Sequence, residues 1–346
     1  MKNSIESGRI FDALTPSLLR QLTTIYELKG RQGLFEVQAP EVLAALHRSS
    51  TIESTESSNR IEGVVASPAR LREIVGLGAE PSTRSEAEIA GYRDVLATIH
   101  ASHPHIPITP AYILQLHRDL YRFTGEPAGE WKKQPNTIDA TLPDGSKETV
   151  FIPTAPYLTP PAIEQLCSDF VDSRDGQETD PLLLIGAFVL DFLCIHPFRD
   201  GNGRMARLLT TLLLYQEGFT LARYVSLERI VEQTKSSYYG SLHASSAGWH
   251  DARHSLLSWW EYFLGIVLAA YRELAQRLEM TGVPSKAARV RLAIEQLPDV
   301  FAVAEVDRAC PGVSRPTIKL AMQKLRQDGR IECVRPGKHA VWQKRA

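Results

Sequence analysis

Apolar side chains recur at spacings of three and four residues through most of this chain, the mark of helices that bury one face. The periodicity predicts helices over Ser85–His100, Thr109–Tyr121, Pro161–Ser173, Pro181–Ile195, Gly203–Gln216, Ser226–Ser246 and Leu256–Met280, and residues 16–33 also read as helical. Pro181–Ile195 is apolar almost throughout and poor in β-branched residues, which favours a buried helix over a strand. Two short β-prone arms flank Pro143-Asp144-Gly145, a hairpin signal. Residues 50–63, STIESTESSNRIEG, are ambiguous: the composition suits a loop, yet Ile52, Thr55, Asn59 and Glu62 fall at helical intervals and Gly63 is a suitable stop. After Gly282-Val-Pro284 the pattern changes, with helices over Lys286–Gln296, Ala304–Ala309 and Arg315–Gln327 around a turn at Cys310–Ser314. Two strands around Pro336-Gly337 follow, so the tail has a helix-turn-helix with a wing.

With 346 residues the chain is long enough for two or three domains, and the pattern divides it into 1–84, 85–280 and 285–346. Hydrophobic content of 43% and charged content of 23% are those of a globular protein. The net charge is −1, unevenly spread: from Ser285 onward thirteen Lys/Arg face six Asp/Glu, while the rest has 26 against 34. No charged stretch followed by an apolar core opens the chain, and the longest apolar runs are short or broken by Asp191. A cytoplasmic location without membrane contact is expected. Cys167, Cys194, Cys310 and Cys333 form no metal or disulfide spacing and are expected to be reduced core residues. His103, His105, His117, His243 and His254 lack ligand spacing and are expected at the surface or as caps.

The chemistry concentrates at His196–Arg207, HPFRDGNGRMAR. Pro197 ends the preceding helix, which leaves His196 at a helix end beside a loop. Gly201 and Gly203 permit positive φ and close approach of a ligand, and a new helix begins there. Such a helix start exposes unpaired N–H groups and partial positive charge, so it receives phosphate. Arg204 and Arg207, one turn apart, can clamp phosphate oxygens. Asp200 is a hard oxygen ligand suited to magnesium, and His196 titrates near neutrality and can accept a proton from an attacking hydroxyl. The pattern points to nucleotidyl or phosphoryl transfer to an alcohol.

HPFRDGNGR resembles the signature HPFx(D/E)GNGR of the Fic family, enzymes that move AMP from ATP onto protein hydroxyls. The resemblance implies a mainly α fold, a Fic helical core with a β-hairpin flap, and ATP and Mg²⁺ as substrate and cofactor. It implies His196 as general base, Asp200 as metal ligand, Gly201, Asn202 and Gly203 as the anion hole, Arg204 as a phosphate contact and Phe198 as a buried anchor. Ser58-Asn-Arg-Ile-Glu62-Gly63 is similar to the family's inhibitory motif, (S/T)xxxE(G/N). A Glu62 carboxylate paired with Arg207 would place negative charge where a γ-phosphate must lie. The hairpin, with Thr149, Val150 and Phe151, stands where the family's flap aligns a target segment.

The tail resembles the winged-helix modules often fused to Fic cores. DNA is one expected partner, through Arg315, Thr317, Lys319 and Lys324 with Arg335 and Lys338 on the wing. Winged helices also serve in protein docking and in homodimers. Two alternatives to an autoinhibited protein adenylyltransferase acting on Ser, Thr or Tyr stay open: a DNA-binding regulator that uses the nucleotide site as a sensor, and a Fic enzyme that removes AMP.

Overall fold

A computed structural model describes residues 4–5, 14–38, 40–141, 145–177, 179–280, 286–337 and 340–345. The chain forms two compact units, Met1–Lys29 with Ala44–Glu273, and Gly30–Leu43 with Leu274–Ala346. The helices are α1 (Pro16–Gln38), α2 (Pro40–Ile61), α3 (Pro68–Leu71), α4 (Arg84–Ser102), α5 (Pro110–Leu120), α6 (Thr159–Gly176), α7 (Pro181–Ile195), α8 (Asn202–Gln216), α9 (Leu227–Gln233), α10 (Lys235–Ser246) and α11 (Leu257–Met280). The strands β1 (Ile138–Thr141) and β2 (Lys147–Phe151) pair antiparallel as a two-stranded sheet. The turn residues Pro143 and Asp144 lie outside the described residues, as do Gly282-Val-Pro284 and Lys338.

In the first unit α7 is the central rod, packed between α6 and α8, with every residue from Leu182 to Ile195 buried. Asp180 caps its start by accepting the Leu182 N–H at 2.9 Å, and Pro181 occupies the first turn, where its missing N–H is harmless. The break in the apolar run, Asp191, is fully buried yet well supplied: it accepts hydrogen bonds from the Ser4 amide, the Ser4 hydroxyl and the Trp249 indole. Burial raises its pKa to about 6, against the pull of those donors. The segment expected as one helix, Ser226–Ser246, is two, because the chain turns at Thr234 (φ −112°, ψ 28°) between α9 and α10. The ambiguous stretch 50–63 is helical as far as Ile61.

The second unit holds α12 (Lys286–Gln296), β3 (Val300–Ala302), α13 (Val303–Ala309), α14 (Arg315–Gln327), β4 (Ile331–Arg335) and β5 (Val341–Lys344). Its sheet has the order β3-β5-β4, antiparallel throughout, over a core of Val290, Ile294, Phe301, Val306, Ile318, Met322 and Ile331. The strand β3 was not apparent from the three residues that form it. Cys167, Cys194 and Cys310 are buried, Cys333 is partly exposed, and all four are free. Among the described residues no helix is long and apolar enough to cross a membrane.

Candidate active site

The α7–α8 connection carries the site. His196 caps α7 in the left-handed conformation (φ 50°, ψ 62°), which a non-glycine residue adopts only under local constraint. Its Nδ1–H donates to the Leu193 carbonyl at 3.2 Å, so Nε2 carries the lone pair. Burial lowers its pKa to about 4; the Lys132 charge adds to that, while the Leu193 carbonyl, Glu62 and Asp200 oppose it. At neutral pH the imidazole is therefore a neutral acceptor.

Phe198 is fully buried and anchors the loop, stacked at 3.7 Å on His117 and at 5.4 Å on Trp131. Asn202 lashes the loop to itself: its Oδ1 accepts from the Phe198 amide at 2.9 Å and its Nδ2 donates to the Phe198 carbonyl at 2.8 Å. The Asn202 side chain is thus occupied within the loop. Gly201 (φ 79°) caps α8, and a Cβ there would press on the Tyr121 ring. The first α8 bond to the cap is Met205 N–H to the Gly201 carbonyl, so the amides of Asn202, Gly203 and Arg204 precede the helical ladder. The Gly201 amide is held at 2.7 Å by the Asp200 carboxylate.

Both arginines are buried. Arg204 donates to Glu88 at 2.6 Å and to the Tyr121 hydroxyl at 2.7 Å, with Asp200 at 3.7 Å, and its buried Nε has no hydrogen-bond partner among the described residues. The expected phosphate contact is therefore committed to protein partners in this state. Arg207 is gripped by the end of α2: it donates to the Ser58 hydroxyl at 2.8 Å, the Ser58 carbonyl at 2.9 Å and Glu62 at 2.6 Å. A Cβ on Gly203 would collide with the same Glu62 carboxylate oxygen, so Glu62 lies directly against the start of α8.

Asp200 is exposed. Burial of its carboxyl raises the pKa, but hydrogen bonds from Tyr121 and the Gly201 amide, with the charges of Arg204 and Arg84, overcome that and hold it below the usual carboxylate range. An ionised, exposed carboxylate fits magnesium, which takes one or two such ligands and completes its shell with water and substrate oxygens. No group of three or more His, Cys, Asp or Glu among the described residues could hold a metal by itself.

After the hairpin, the Thr154 amide donates to the Cys194 carbonyl in the last turn of α7 at 3.4 Å. Thr149 is exposed and its hydroxyl donates to Asp139 at 2.9 Å. Val150 and Phe151 are partly buried, and Phe151 stacks on His250 at 5.4 Å and meets Trp249 edge-on. Glu88, Tyr121, Lys132, Asn136, Trp249 and His250 had no motif to announce them. His117 and His254 require correction: both are buried. His117 accepts from the Gly129 amide at 3.0 Å, so its Nε2–H donates to the Asp200 carbonyl at 3.1 Å, and His254 meets the Ser4 hydroxyl at 2.7 Å. An apolar environment with two fixed backbone partners makes a structural histidine of His117, and burial lowers its pKa to about 4.

One helix start thus presents a histidine, an aspartate and a glycine-bounded turn. Residues 107–214 match the Fic/DOC family, and the chain is related to known Fic adenylyltransferases. It is 26% identical over 238 residues to the protein adenylyltransferase fic-1 of Caenorhabditis briggsae, a match that covers 66% of this chain and 43% of the relative. It is 27% identical over 248 residues to the protein adenylyltransferase Fic of Drosophila melanogaster, covering 69% and 46%. The chain thus spans less than half the length of these relatives. In fold it is similar to a Fic family protein from Desulfovibrio desulfuricans, with a TM-score of 0.63, 20% identity and coverage of 96% and 97%. A Fic-1 fragment from Caenorhabditis elegans has a TM-score of 0.59, 22% identity and coverage of 76% and 73%.

Proposed function

We propose that the protein transfers AMP from ATP to a Ser, Thr or Tyr hydroxyl of a target protein, and that Glu62 restrains it. The observation that carries this reading is the contact of His196 Nδ1 with the Leu193 carbonyl, which makes Nδ1 the donor and leaves Nε2 as an acceptor in the loop that leads to the amides opening α8. Nε2 takes the proton of the target hydroxyl as its oxygen attacks the α-phosphorus. The new O–P bond forms as the bond to the bridging oxygen breaks, and pyrophosphate departs with that oxygen. Amides of Asn202, Gly203 and Arg204 meet the charge on the phosphate oxygens, and Arg207, once free of Glu62, meets the γ-phosphate. Magnesium, held by Asp200, would neutralise charge on the phosphates. The hairpin with Thr149, Val150 and Phe151 offers backbone to a target segment.

Intact-mass measurement after incubation with ATP and magnesium tests the reading. Glu62→Gly protein, with or without an acceptor, is expected to gain adenylate. A Glu62→Gly protein that stays unmodified, together with every acceptor offered, contradicts it; loss of AMP from a modified acceptor would favour the reverse reaction.

A second reading belongs to the tail. The order α12, β3, α13, α14, β4, β5 supports the reading of a winged helix-turn-helix, in which α14 would enter a groove. Arg315, Lys319, Lys324 and Arg335 are exposed, although Arg315 is paired with Asp307 at 2.6 Å. Full-length protein is expected to shift duplex DNA at low salt, with the shift lost in Lys319→Glu/Lys324→Glu. An unchanged shift in that variant removes this reading.

A further inference from the structure

Four consecutive carbonyls run through the catalytic turn, and one short segment satisfies all of them. Lys132 Nζ donates to Ile195 at 3.0 Å and the Lys132 amide donates to Pro197 at 2.9 Å. Asn136 Nδ2 donates to Phe198 at 3.1 Å and reaches His196 at 3.5 Å, while its Oδ1 accepts from Lys132 Nζ at 2.8 Å. These carbonyls belong to the end of α7 and the turn after it, where no later helical N–H can reach them, because Pro197 and the left-handed His196 break the ladder. We propose that Lys132, with Asn136, is a positioning residue for the proton transfer: the pair holds the backbone from Ile195 to Phe198 and so fixes the left-handed turn that presents Nε2 of His196. The inference rests on the adenylyltransferase reading above, since it assigns these residues to that reaction.

The choice of lysine supports a role beyond filling space. Lys132 is 4% exposed, and among the described residues both acceptors of its ammonium are neutral. A buried ammonium without a carboxylate costs stability that an apolar side chain of similar length would not. Burial accordingly lowers its pKa to about 8. At neutral pH it keeps its charge, and that charge disfavours the imidazolium form of His196. The other charged groups that face His196 are Glu62 at the end of α2 and Asp200 in the same loop, and both act in the opposite direction. Lys132 therefore serves the base twice, by fixing its backbone and by keeping its ring neutral.

The test uses full-length protein in the Glu62→Gly background. Lys132→Met keeps the aliphatic stem and removes the charge and the donors. The expected result is a kcat at least about tenfold lower with KM for ATP changed less than about threefold, since orientation of the base is lost and nucleotide binding is not. The acid limb of the kcat–pH profile is expected to move to higher pH, which a purely structural lysine would not cause. Asn136→Ala keeps the ammonium and loses the Phe198 and His196 contacts; it is expected to lower kcat without moving the acid limb as far, and it covers the case in which Lys132→Met does not fold. Unchanged kcat and unchanged pH profile in a folded variant overturn the inference. If Glu62→Gly itself transfers no AMP, the adenylyltransferase reading fails instead. NMR titration of the His196 imidazole then decides about Lys132: a pKa raised in Lys132→Met supports the pairing, and an unchanged one rejects it.

Discussion

Replacing Glu62 by glycine removes one of the three contacts that hold Arg207 to the end of α2, and it clears the space against Gly203. The contact is a charge-assisted hydrogen bond of 2.6 Å between an arginine side chain 7% exposed and a glutamate 31% exposed. Hydrogen bonds to charged groups are worth about 1.5–3 kcal/mol, and each 1.4 kcal/mol is tenfold. Loss of the contact therefore shifts the balance toward a free Arg207 by roughly 10- to 100-fold. The same factor is expected in the initial rate of label transfer from ATP labelled at the α-phosphate, because the carboxylate also stands in the way of phosphate. Ser58→Ala removes only the hydroxyl contact and leaves the Glu62 carboxylate in place, so its gain should be smaller than that of Glu62→Gly. Glu62→Gln, which keeps the size and loses the charge, should fall between wild type and glycine. Equal rates for wild type and Glu62→Gly, in proteins with the same circular dichroism, would mean that Glu62 does not restrain transfer.

Other consequences follow from the same geometry. Gly201→Ala places a side chain at φ 79° against Tyr121, so it should cost about 1–3 kcal/mol and weaken ATP binding; a melting temperature and an affinity equal to wild type count against the described loop. Burial lowers the pKa of His100 to about 3 and those of His117 and His196 to about 4, so between about pH 6.5 and those values the unfolded chain binds more protons than the folded one. Stability from these groups is complete above about pH 6.5 and declines as the pH falls through that window, at about 1.4 kcal/mol per pH unit for each net proton. Asp191, raised to about 6, acts the other way between about pH 4 and 6, one group against three. Urea midpoints should therefore drop from pH 7 to pH 5, and a flat profile contradicts the burial of the three rings. The same depressed value for His196 predicts a kcat that stays level down to about pH 5.

Strong local signals made much of the molecule legible. Pro181, the apolar run and the His-Pro pair mark α7 at both ends, and Gly201 marks the start of α8, so the loop between two helices could be placed before any coordinates. The helices at Lys286–Gln296 and Arg315–Gln327 were equally plain, each bounded by turn residues. Legibility failed where tertiary partners decide. Thr234 is no obvious breaker, and the turn there is fixed by its hydroxyl, which donates to Ile230 and meets Tyr262. His117 and Lys132 lie far from the motif in sequence, and their burial beneath the loop depends on the packing of α5 and the 129–136 segment against it. The committed state of Arg204 was hidden for the same reason, since Glu88 lies on α4, 116 positions away. A residue's type announces what it can do, and its partners determine whether that capacity is free.

Base catalysis by His196 Nε2, with the nucleotide at the start of α8, is what the proposed AMP transfer requires. The most direct measurement compares Glu62→Gly with Glu62→Gly/His196→Ala, recording AMP transfer and ATP affinity on the same samples. Transfer is expected to disappear in the double variant while the affinity for ATP stays within about threefold. Equal transfer by the two proteins would contradict it.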